Sequence, residues 1–314
     1  MFIVVYRQGW SMKIAVVGGY GVGMTMRVPH FPAPGETVSG GDYAQGPGGK
    51  GSNQAIAAAR LGADVSLLTA IGKDHLGDAA AALWAREGVG HEYVARVESS
   101  TMVGFILVDD DGENEIAIAP GALSRLTADH VEGFRKAIRD ADILMVSMEI
   151  PLEAVGAALR IANEEGTTSL LNPAPAVPLP AEFWPWVDIL TPNQSEAAQI
   201  LGLPVTHNLS AAEIAEQLRS RTDAAVVMTL GSAGSAVFDG ADFQQVEAFP
   251  PARVVDTTGA GDTFNAALAV AIADGEPLDR AARFANAAGA HAVTQAGVID
   301  ALPTREQIAA VMAI

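Results

Sequence analysis

Cysteine is absent from this 314-residue chain. Its absence excludes a disulfide framework, a cysteine-ligated metal site and a thiol nucleophile. Long apolar runs are also missing, because no segment approaches the ~18 residues needed to span a bilayer. A chain of this length allows one large or two modest domains and can bury roughly three quarters of its unfolded surface. The sequence therefore predicts a globular protein that folds without covalent cross-links.

Basic residues are scarce as well. Lys and Arg number 19 against 37 Asp and Glu, which gives a net charge of −18. The lysines are Lys13, Lys50, Lys73 and Lys136. A field of this sign disfavours nucleic acid and anionic membrane surfaces, so we expect neither as a partner.

The start of the chain contains a second candidate initiator. The first eleven residues, MFIVVYRQGWS, have no signal-peptide cleavage site, and Met12 directly precedes the strand-like KIAVVG. We therefore expect a cytoplasmic protein in which residues 1–11 are an upstream extension and residues 12–314 form a single domain.

Short apolar runs alternate with alanine-rich segments along most of the chain. Such runs suit strands buried on both faces of a parallel sheet, and the alternation predicts a layered α/β fold with right-handed crossovers. The predicted strands are 13–18, 64–72, 141–149, 167–172, 187–193 and 224–231, and the predicted helices are 51–62, 75–88, 127–140, 151–165, 195–202, 209–221, 260–274, 278–295 and 303–313.

Two segments interrupt this alternation. Residues 24–47 are rich in Pro and Gly and contain the alternating ETVSGGDYAQ. Residues 93–119 alternate again, with a DDDGEN turn between two strand-like runs. An Asp-Gly pair flanked by alternating residues is a hairpin signal. We expect these segments to form antiparallel strands in a second, smaller sheet that acts as a lid.

Two familiar glycine motifs fail when they are tested residue by residue. A dinucleotide loop in GGYGVGM (18–24) needs glycine where Met24 or Met26 stands, and the prolines that follow forbid its helix. A P-loop in GPGGKG fails because Gly51 replaces the Ser or Thr that should follow the lysine.

The segment GPGGKGSNQA (46–55) nevertheless places a glycine pair at the start of an alanine-rich helix. Lys50 and Asn53 fall in or just before its first turn. Free backbone amides and the positive end of a helix can receive hydroxyls or an anion. A turn that merely begins a helix would use the same glycines. Because lysine is so rare in this chain, we favour a binding role.

The segment DTTGAGDTFNAAL (256–268) is the strongest single motif. A strand-like run leads into Asp256, a Gly-Ala-Gly turn follows, and Asp262 begins a helix. The amides of residues 259–262 would form an anion hole at the helix N-terminus. A carboxylate there can take a proton from a hydroxyl that attacks a phosphoryl group. Simple capping by Asp262 is the alternative.

Two weaker motifs follow predicted strands. NQSE places Asn193 and Glu196 near the carboxyl edge of the sheet, where an amide oxygen and a carboxylate can organise magnesium through waters. The same residues are a frequent helix start. TLGSAG (229–234) is a glycine turn that lets backbone approach phosphates.

Taken in order, GGKGSNQA, NPAP (172–175), TPNQSE, TLGSAG and DTTGAGDTF resemble the motifs of the ribokinase (PfkB) family of carbohydrate kinases. The resemblance extends from about residue 13 to residue 305. It implies a three-layer αβα sandwich with a mostly parallel central sheet and a small β-sheet lid, through which these proteins often form homodimers. It also implies ATP as co-substrate, Mg²⁺ and an activating K⁺.

The resemblance further implies roles for individual residues. Asp262 would be the base that deprotonates a hydroxymethyl group of the acceptor. Gly259, Ala260 and Gly261 would form the anion hole; Gly49, Lys50, Asn53, Glu149 and Asp262 would bind the acceptor; Asn193, Thr229, Gly231, Gly234 and Asn286 would bind the nucleotide; Asn193 and Glu196 would hold magnesium through water; and Asp256, Thr258, Ala292 and Gly297 would bind a monovalent cation.

The chain departs from the family pattern after the first strand. Family members usually have Asn and Asp in a pattern like G-S-x-N-x-D, whereas Gly21 and Gly23 occupy those positions here. Leu123 in PGAL replaces the Asn of the usual PGAN. The lost polar side chains predict a larger and less polar acceptor space that admits a bulkier substituent, such as a nucleoside base or another sugar.

These observations favour an ATP-dependent sugar kinase. A nucleoside kinase of the same family is the alternative enzyme, favoured by Gly21 and Gly23. A catalytically silent sugar-binding regulator belongs to a different class, and the intact GAGD and N-x-x-E motifs argue against it. ATP turnover that depends on an added sugar or nucleoside separates these possibilities.

Overall fold

The structure is a computed structural model that describes residues 12–203, 209–240 and 242–313. The predicted extension at residues 1–11 lies outside the described residues, as does Ile314 at the end of the predicted domain.

The described residues contain strands and α-helices that we label in chain order. The strands are β1 (Lys13–Val17), β2 (Gly21–Arg27), β3 (Tyr43–Gly48), β4 (Asp64–Leu68), β5 (Ala70–Gly72), β6 (Ala95–Val97), β7 (Val103–Val108), β8 (Asn114–Ala119), β9 (Ile143–Ser147), β10 (Thr168–Asn172), β11 (Ile189–Leu190), β12 (Ala225–Thr229), β13 (Ser235–Asp239) and β14 (Asp242–Val246). The helices are α1 (Lys50–Arg60), α2 (His75–Glu87), α3 (Ala128–Gly133), α4 (Arg135–Asp140), α5 (Leu152–Glu165), α6 (Gln194–Ile200), α7 (Ala211–Arg219), α8 (Ala260–Ala273), α9 (Leu278–Ala292) and α10 (Arg305–Met312).

A central sheet has the strand order β14-β13-β12-β11-β10-β9-β1-β4. Neighbours from β4 to β12 pair in parallel, and β13 pairs antiparallel with β12 and β14. Alternate residues of β1 enter opposite cores, with Ile14 and Val16 on one face and Ala15 and Val17 on the other. Strands that are buried on both faces produce the continuous apolar runs of the sequence. The predicted mostly parallel sheet is confirmed.

Helices cover both faces of this sheet. The residues of α1, α2, α8, α9 and α10 pack on the face of Ile14, and those of α3 to α7 pack on the face of Ala15. The predicted αβα sandwich is therefore confirmed. Within the described ranges, none of the helices combines the length and the apolar character that a membrane crossing requires.

A separate sheet, which we call the lid sheet, has the order β3-β2-β7-β8. Strands β2 and β7 are parallel, whereas β2–β3 and β7–β8 are antiparallel. The hairpin predicted around DDDGEN joins β7 to β8, and the Asp109 carboxylate accepts hydrogen bonds there from the amides of Asp111 and Glu113. The lid sheet draws its strands from the segments 24–47 and 93–119, although β2 begins earlier than predicted, at Gly21.

Three predicted elements are wrong in extent. The strand at 64–72 leaves the central sheet after Leu68, and β5 pairs instead with β6. The helix at 127–140 is interrupted at Phe134, whose buried ring meets the ring of Tyr93 with centroids 5.0 Å apart. The strand at 187–193 contains only Ile189 and Leu190; Pro192, which has no amide hydrogen, interrupts the ladder before the isolated bridge between Asn193 and Thr229.

Helix α1 lies very close to the end of β1. A Cβ atom added to Gly51 would stand 2.5 Å from the carbonyl carbon and 2.6 Å from the Cα of Gly18. The Ser52 amide donates a hydrogen bond to the Gly19 carbonyl at 3.0 Å. Glycine at these positions therefore lets the first turn of α1 contact the backbone that follows β1.

This contact gives a prediction for stability. The substitution Gly51→Ala should lower the free energy of unfolding by roughly 1–3 kcal/mol, because its methyl group would overlap backbone atoms that cannot rotate away. Urea-induced unfolding, followed by circular dichroism, measures the change.

A matched control is Gly133→Ala in α3, where no atom lies within 4 Å of an added Cβ. It should leave the stability unchanged or raise it by up to about 1 kcal/mol, because alanine favours the helix. Equal effects of the two substitutions would contradict the close contact.

Candidate active site

The candidate site lies where the N-terminal turns of α1 and α8 meet, beside the carboxyl ends of the central strands. Helix α1 packs against both α8 and β1. The Asn53 side chain of α1 reaches Asp262 of α8. The segment after β9 brings Glu149 to the start of α1. Two helix N-termini with their positive ends therefore converge on a few acidic side chains.

The turn before α8 needs glycine. Gly259 adopts φ +80°, and an added Cβ there would come within 2.8 Å of Val298. Among the described residues, the amides of Gly259, Gly261 and Asp262 have no backbone acceptor, whereas the Ala260 amide bonds to the Thr257 carbonyl at 3.2 Å. Three of the four amides of the predicted anion hole are thus free, and those of Gly261 and Asp262 lie in the first turn of α8.

Asp262 is buried, with only 6% of its surface exposed. Its Oδ2 accepts a hydrogen bond from Asn53 Nδ2 at 2.8 Å, and its Oδ1 accepts one from Gln54 Nε2 at 3.2 Å. Burial raises the pKa of Asp262, and the charge of Lys50 together with the two amide donors opposes the rise. Asp262 makes no capping hydrogen bond to α8, whose N-cap is Gly259; its carboxylate faces α1 instead.

Glu149 lies on the N-terminus of α1. Its Oε2 accepts a hydrogen bond from the Lys50 amide at 2.5 Å, and the Gly51 amide also donates to this carboxylate. Burial, followed by repulsion from Asp262, raises the pKa of Glu149 to about 7, against the opposing charge of Lys50. A Cβ added to Gly19 would approach Oε2 to 2.5 Å, so glycine there leaves room for the carboxylate.

Lys50 is the cation of this site. Its charge lowers the pKa values of Glu149, Glu196 and Asp262, each of which burial raises. Gly49, which was predicted to bind the acceptor beside Lys50, is the N-cap residue of α1 and adopts φ +91°. A Cβ added to Gly49 would stand 2.7 Å from the Gly19 carbonyl oxygen, so glycine is required there. The structure thus brings together every residue predicted to bind the acceptor.

Asn193 and Glu196 form a capping box on α6. Asn193 Oδ1 accepts from the Glu196 amide, and Glu196 Oε2 accepts from the Asn193 amide, both at 2.8 Å. Burial raises the pKa of Glu196, and both Lys50 and Asp262 influence it. The pair therefore serves the helix start and also faces the candidate site. Carboxylate and amide oxygens fit Mg²⁺ held through waters. Nowhere in the described residues, this site included, do three or more Asp, Glu or His side chains form a group that could hold a metal ion.

The residues predicted to bind the nucleotide gather beside β12. Thr229 forms a bridge with Asn193, and Gly231 and Gly234 flank the turn that follows. Asn286 of α9 donates to the carbonyls of Val246 and Glu247 at 3.0 and 3.1 Å. Glycine at position 234 allows close approach, since an added Cβ would lie 2.2 Å from the Val246 carbonyl oxygen.

The predicted cation loop joins the start of the GAGD segment to the end of α9. The Asp256 carboxylate accepts hydrogen bonds from the amides of Thr258 at 2.9 Å and Gly297 at 3.3 Å. Burial acts to raise the pKa of Asp256, but these hydrogen bonds hold it below its usual value. The Ala292 carbonyl accepts from the Gln295 amide. Carboxylate and carbonyl oxygens fit an alkali cation, with Asp256 as the charged donor.

The predicted enlargement of the acceptor space is wrong at Gly21. A Cβ added there would stand 2.0 Å from the Sδ atom of Met102, so a thioether already fills this volume. At Gly23 the nearest atom to an added Cβ is Ile106 Cδ1 at 3.8 Å, which leaves room. Leu123 is buried in the core and opens no space. The loss of polarity stays a prediction, supported by the thioether of Met102 beside Gly21.

Three residues near the site were missed at the level of sequence. Gln54 contacts Asp262, Asn172 contacts Gln54 at 3.1 Å, and Met102 fills the volume beside Gly21. A polar residue inside an alanine-rich helix is a signal for a buried hydrogen bond, and it would have singled out Gln54. Met102 carries no such signal, because its contact joins distant segments.

The raised pKa of Glu149 predicts a pH-dependent stability. An acid whose pKa rises on folding contributes stability below its unfolded value of 4.5, and this contribution is lost as pH rises through about 7. The variant Glu149→Gln has no carboxyl group to ionise, so it does not lose this stability as pH rises. Between about pH 5 and about pH 8, its free energy of unfolding should therefore rise relative to that of the wild type by on the order of 1–3 kcal/mol. Urea unfolding at both pH values measures the difference.

The substitution Glu153→Gln controls for the loss of one negative charge, because Glu153 is exposed in the first turn of α5. If the free energy of unfolding of Glu149→Gln follows that of the wild type in parallel across this pH range, the raised pKa of the Glu149 carboxyl group is contradicted.

Comparison with known proteins gives this fold and site a family. Residues 13–305 match the family described as pfkB family carbohydrate kinase. The ribokinase of Haemophilus influenzae is 37% identical over 295 residues, which cover 94% of this chain and 96% of that protein.

Two solved structures are similar over nearly the whole chain. Arabidopsis thaliana ribokinase complexed with ribose and ATP has a TM-score of 0.90 and 30% identity, and the match covers 97% of this chain and 100% of that one. Ribokinase from Thermotoga maritima has a TM-score of 0.87 and 31% identity, with 96% and 100% covered. The predicted sandwich and the predicted phosphotransferase class are confirmed. The chain belongs to the pfkB family of carbohydrate kinases.

Proposed function

We propose that this protein transfers the γ-phosphoryl group of ATP to a hydroxymethyl group of a sugar, with Asp262 as the general base. One observation carries the proposal: a buried carboxylate stands in the first turn of α8, next to the free amides of Gly261 and Asp262. Proton abstraction and charge stabilisation therefore meet at one helix start.

The chemistry follows from these positions. Asp262 accepts the proton of the attacking hydroxyl, whose oxygen bonds to the γ-phosphorus as the bond from that phosphorus to the leaving ADP breaks. The amides of Gly261 and Asp262 and the positive end of α8 stabilise the charge on the transferring group. Because the site is buried, these dipoles act with little screening by water.

The acceptor is held from the side of α1. Asn53 offers an amide, Lys50 an ammonium group and Glu149 a carboxylate, and all three lie around Asp262. Donors and acceptors of both kinds suit the hydroxyl groups of a sugar, each of which donates and accepts. Gly49 leaves the backbone accessible at the helix start.

ATP is the proposed phosphoryl donor, as supported by the similar ribokinase that was solved with ribose and ATP. Thr229, Gly231, Gly234 and Asn286 would line its binding site. Asn193 and Glu196 would hold Mg²⁺ through water, and Asp256, Thr258, Ala292 and Gly297 would surround K⁺. When bound, the cations would offset phosphate charge that the sparse lysines cannot.

A nucleoside kinase is the second candidate, and the lack of polar side chains at Gly21 and Gly23 favours it. Nothing lies closer than 3.8 Å to a Cβ added at Gly23. Met102 restricts the neighbouring volume at Gly21. The cytoplasmic location and residues 1–11 as an upstream extension stay predictions.

Activity is tested with ATP and a panel of pentoses, hexoses and nucleosides. Turnover should depend on the added sugar, and Asp262→Asn should lower kcat by on the order of 10²–10⁴, because the amide cannot accept the proton. A coupled assay for ADP formation measures both.

The matched control is Asp78→Asn, which also removes a carboxylate from a first helical turn, that of α2. Asp78 pairs at the surface with Arg96, so its loss should leave turnover unchanged. Near-normal turnover in Asp262→Asn would remove Asp262 from its role. Exclusive activity on nucleosides would favour the second candidate, and binding of sugar without turnover would identify a silent regulator.

We further propose a homodimer that forms through the lid sheet. Ile116 and Ile118 of β8 are 58% and 62% exposed, and their register partners on β7 are Ile106 and Gly104. Partners in register point to the same face of a sheet, so these isoleucines form an apolar face. Such a face is typical of a contact surface.

The dimer is tested by light scattering after gel filtration. The wild type should have twice the mass of one chain, and the double substitution Ile116→Asp/Ile118→Asp should have the mass of one, because buried unpaired charges oppose association. Val177→Asp, at an exposed position outside the lid sheet, should keep the double mass. A monomeric wild type would contradict the proposal.

A further inference from the structure

A buried amide stands behind the proposed base and is tied to the backbone of the central sheet. Gln54 is fully buried on α1, next to Asn53. Its Nε2 donates two hydrogen bonds, one to Asp262 Oδ1 at 3.2 Å and one to Asn172 Oδ1 at 3.1 Å. Its Oε1 has no partner in the described part of the chain.

The orientation of this amide is set by a chain of hydrogen bonds. Asn172 Nδ2 donates to the Thr191 carbonyl at 3.1 Å. That carbonyl belongs to the backbone and cannot exchange donor for acceptor, so Asn172 must turn its Nδ2 toward it and its Oδ1 toward Gln54. Gln54 must then present Nε2, because Oε1 would face two acceptor oxygens.

We infer that Gln54, oriented by Asn172 and the Thr191 carbonyl, is the positioning residue that fixes the Asp262 carboxylate and leaves its Oδ2 to receive the proton. This inference rests on the proposed function. Gln54 binds Oδ1 through an amide that a second buried acceptor holds in place. Asn53 binds Oδ2 through an amide with no second hydrogen bond, so Oδ2 has the partner that an incoming hydroxyl can replace.

The arrangement also counters the effect of burial on the base. A carboxylate that loses water becomes easier to protonate, and a donor to its charged form opposes this change. The charged groups that act on Asp262 from the elements around it are Lys50 of α1, Glu149 after β9 and Glu196 of α6. Gln54 adds a neutral donor where two of the three charged neighbours repel the carboxylate.

The test uses the full chain with the substitution Gln54→Met, which keeps the length of the side chain and removes its donor. We expect kcat to fall by roughly 10- to 100-fold while KM for the acceptor changes little, because Gln54 acts on the base and not on the acceptor. The acidic limb of the kcat profile should move to higher pH, since Asp262 loses a donor to its charged form.

Gln54→Glu keeps the packing of the side chain, because glutamate has the shape of glutamine. It replaces the amide donor to Asp262 with a negative charge, so any shift of the limb comes from the polar contact and not from packing. Its acidic limb should lie at a higher pH than that of Gln54→Met. Asn172→Leu should move the limb in the same direction by less, because Gln54 then loses the partner that orients it. A limb that stays at the wild-type position in Asn172→Leu would overturn the relay through Thr191.

Ser52→Ala is the matched control on the same helix. Ser52 is buried and its hydroxyl accepts a hydrogen bond from Trp84 at 2.8 Å, away from Asp262. Its loss should lower stability without moving the limb. Unchanged kcat and an unchanged limb in Gln54→Met would overturn the inference, as would an equal shift in Ser52→Ala.

A second measurement does not need turnover. Carbon NMR of the side-chain carboxyl groups follows the titration of Asp262 directly, with Asp262→Asn used to identify its signal. The midpoint should rise from the wild type to Gln54→Met. If no acceptor supports ATP turnover but the midpoint rises, the proposed function fails and the contact with Gln54 stands; if turnover occurs and the midpoint is unchanged, the inference fails alone.

Discussion

The close approach of α1 to the backbone after β1 is the constraint on which the site depends. Side chains at Gly18 or Gly51 would overlap backbone atoms or the Ser147 hydroxyl. With glycine at both positions, the N-terminus of α1 packs against the end of β1, and its first amides donate hydrogen bonds to Glu149. The end of the same turn brings Asn53 to Asp262. The contacts that α1 makes with Glu149 and Asp262 thus depend on the absence of Cβ atoms at Gly18 and Gly51, where helix and strand backbone pack closely.

The candidate site contains more negative than positive side chains. Lys50 is the single ammonium group among three carboxylates, of which Asp262 repels the other two, Glu149 and Glu196. The protein as a whole is already strongly acidic. Keeping these carboxylates ionised in the folded protein is unfavourable, because burial and repulsion between them both favour the protonated forms. Helix N-termini and side-chain amides supply the positive ends that charged residues do not. A phosphate-bearing ligand would therefore be received by oriented dipoles, with no broad basic surface to attract it from a distance.

The sequence permitted the layered sheet, the helix succession and the main motifs to be predicted, because apolar periodicity and glycine turns are local properties. Asp262 and Lys50 were found because each belongs to a contiguous motif. Met102 could not be found, since its contact with Gly21 joins segments some eighty residues apart and depends on one rotamer. Phe134 divides a helix for a similar reason: its ring packs against Tyr93, and helical periodicity contains no information about that partner.

The link between β1 and β2 consists of Gly18, Gly19 and Tyr20, so the central sheet and the lid sheet share one short stretch of backbone. Tyr20 is anchored, because its ring meets Trp84 edge-on at 5.1 Å. The two glycines before it contact Glu149, Ser147 and the start of α1. Any rotation of the lid sheet must therefore turn at residues that also shape the floor of the site. A rotation of the lid sheet would therefore displace the Glu149 carboxylate, because Gly19 lies against it. The residues about which the lid sheet turns would themselves be part of the binding surface.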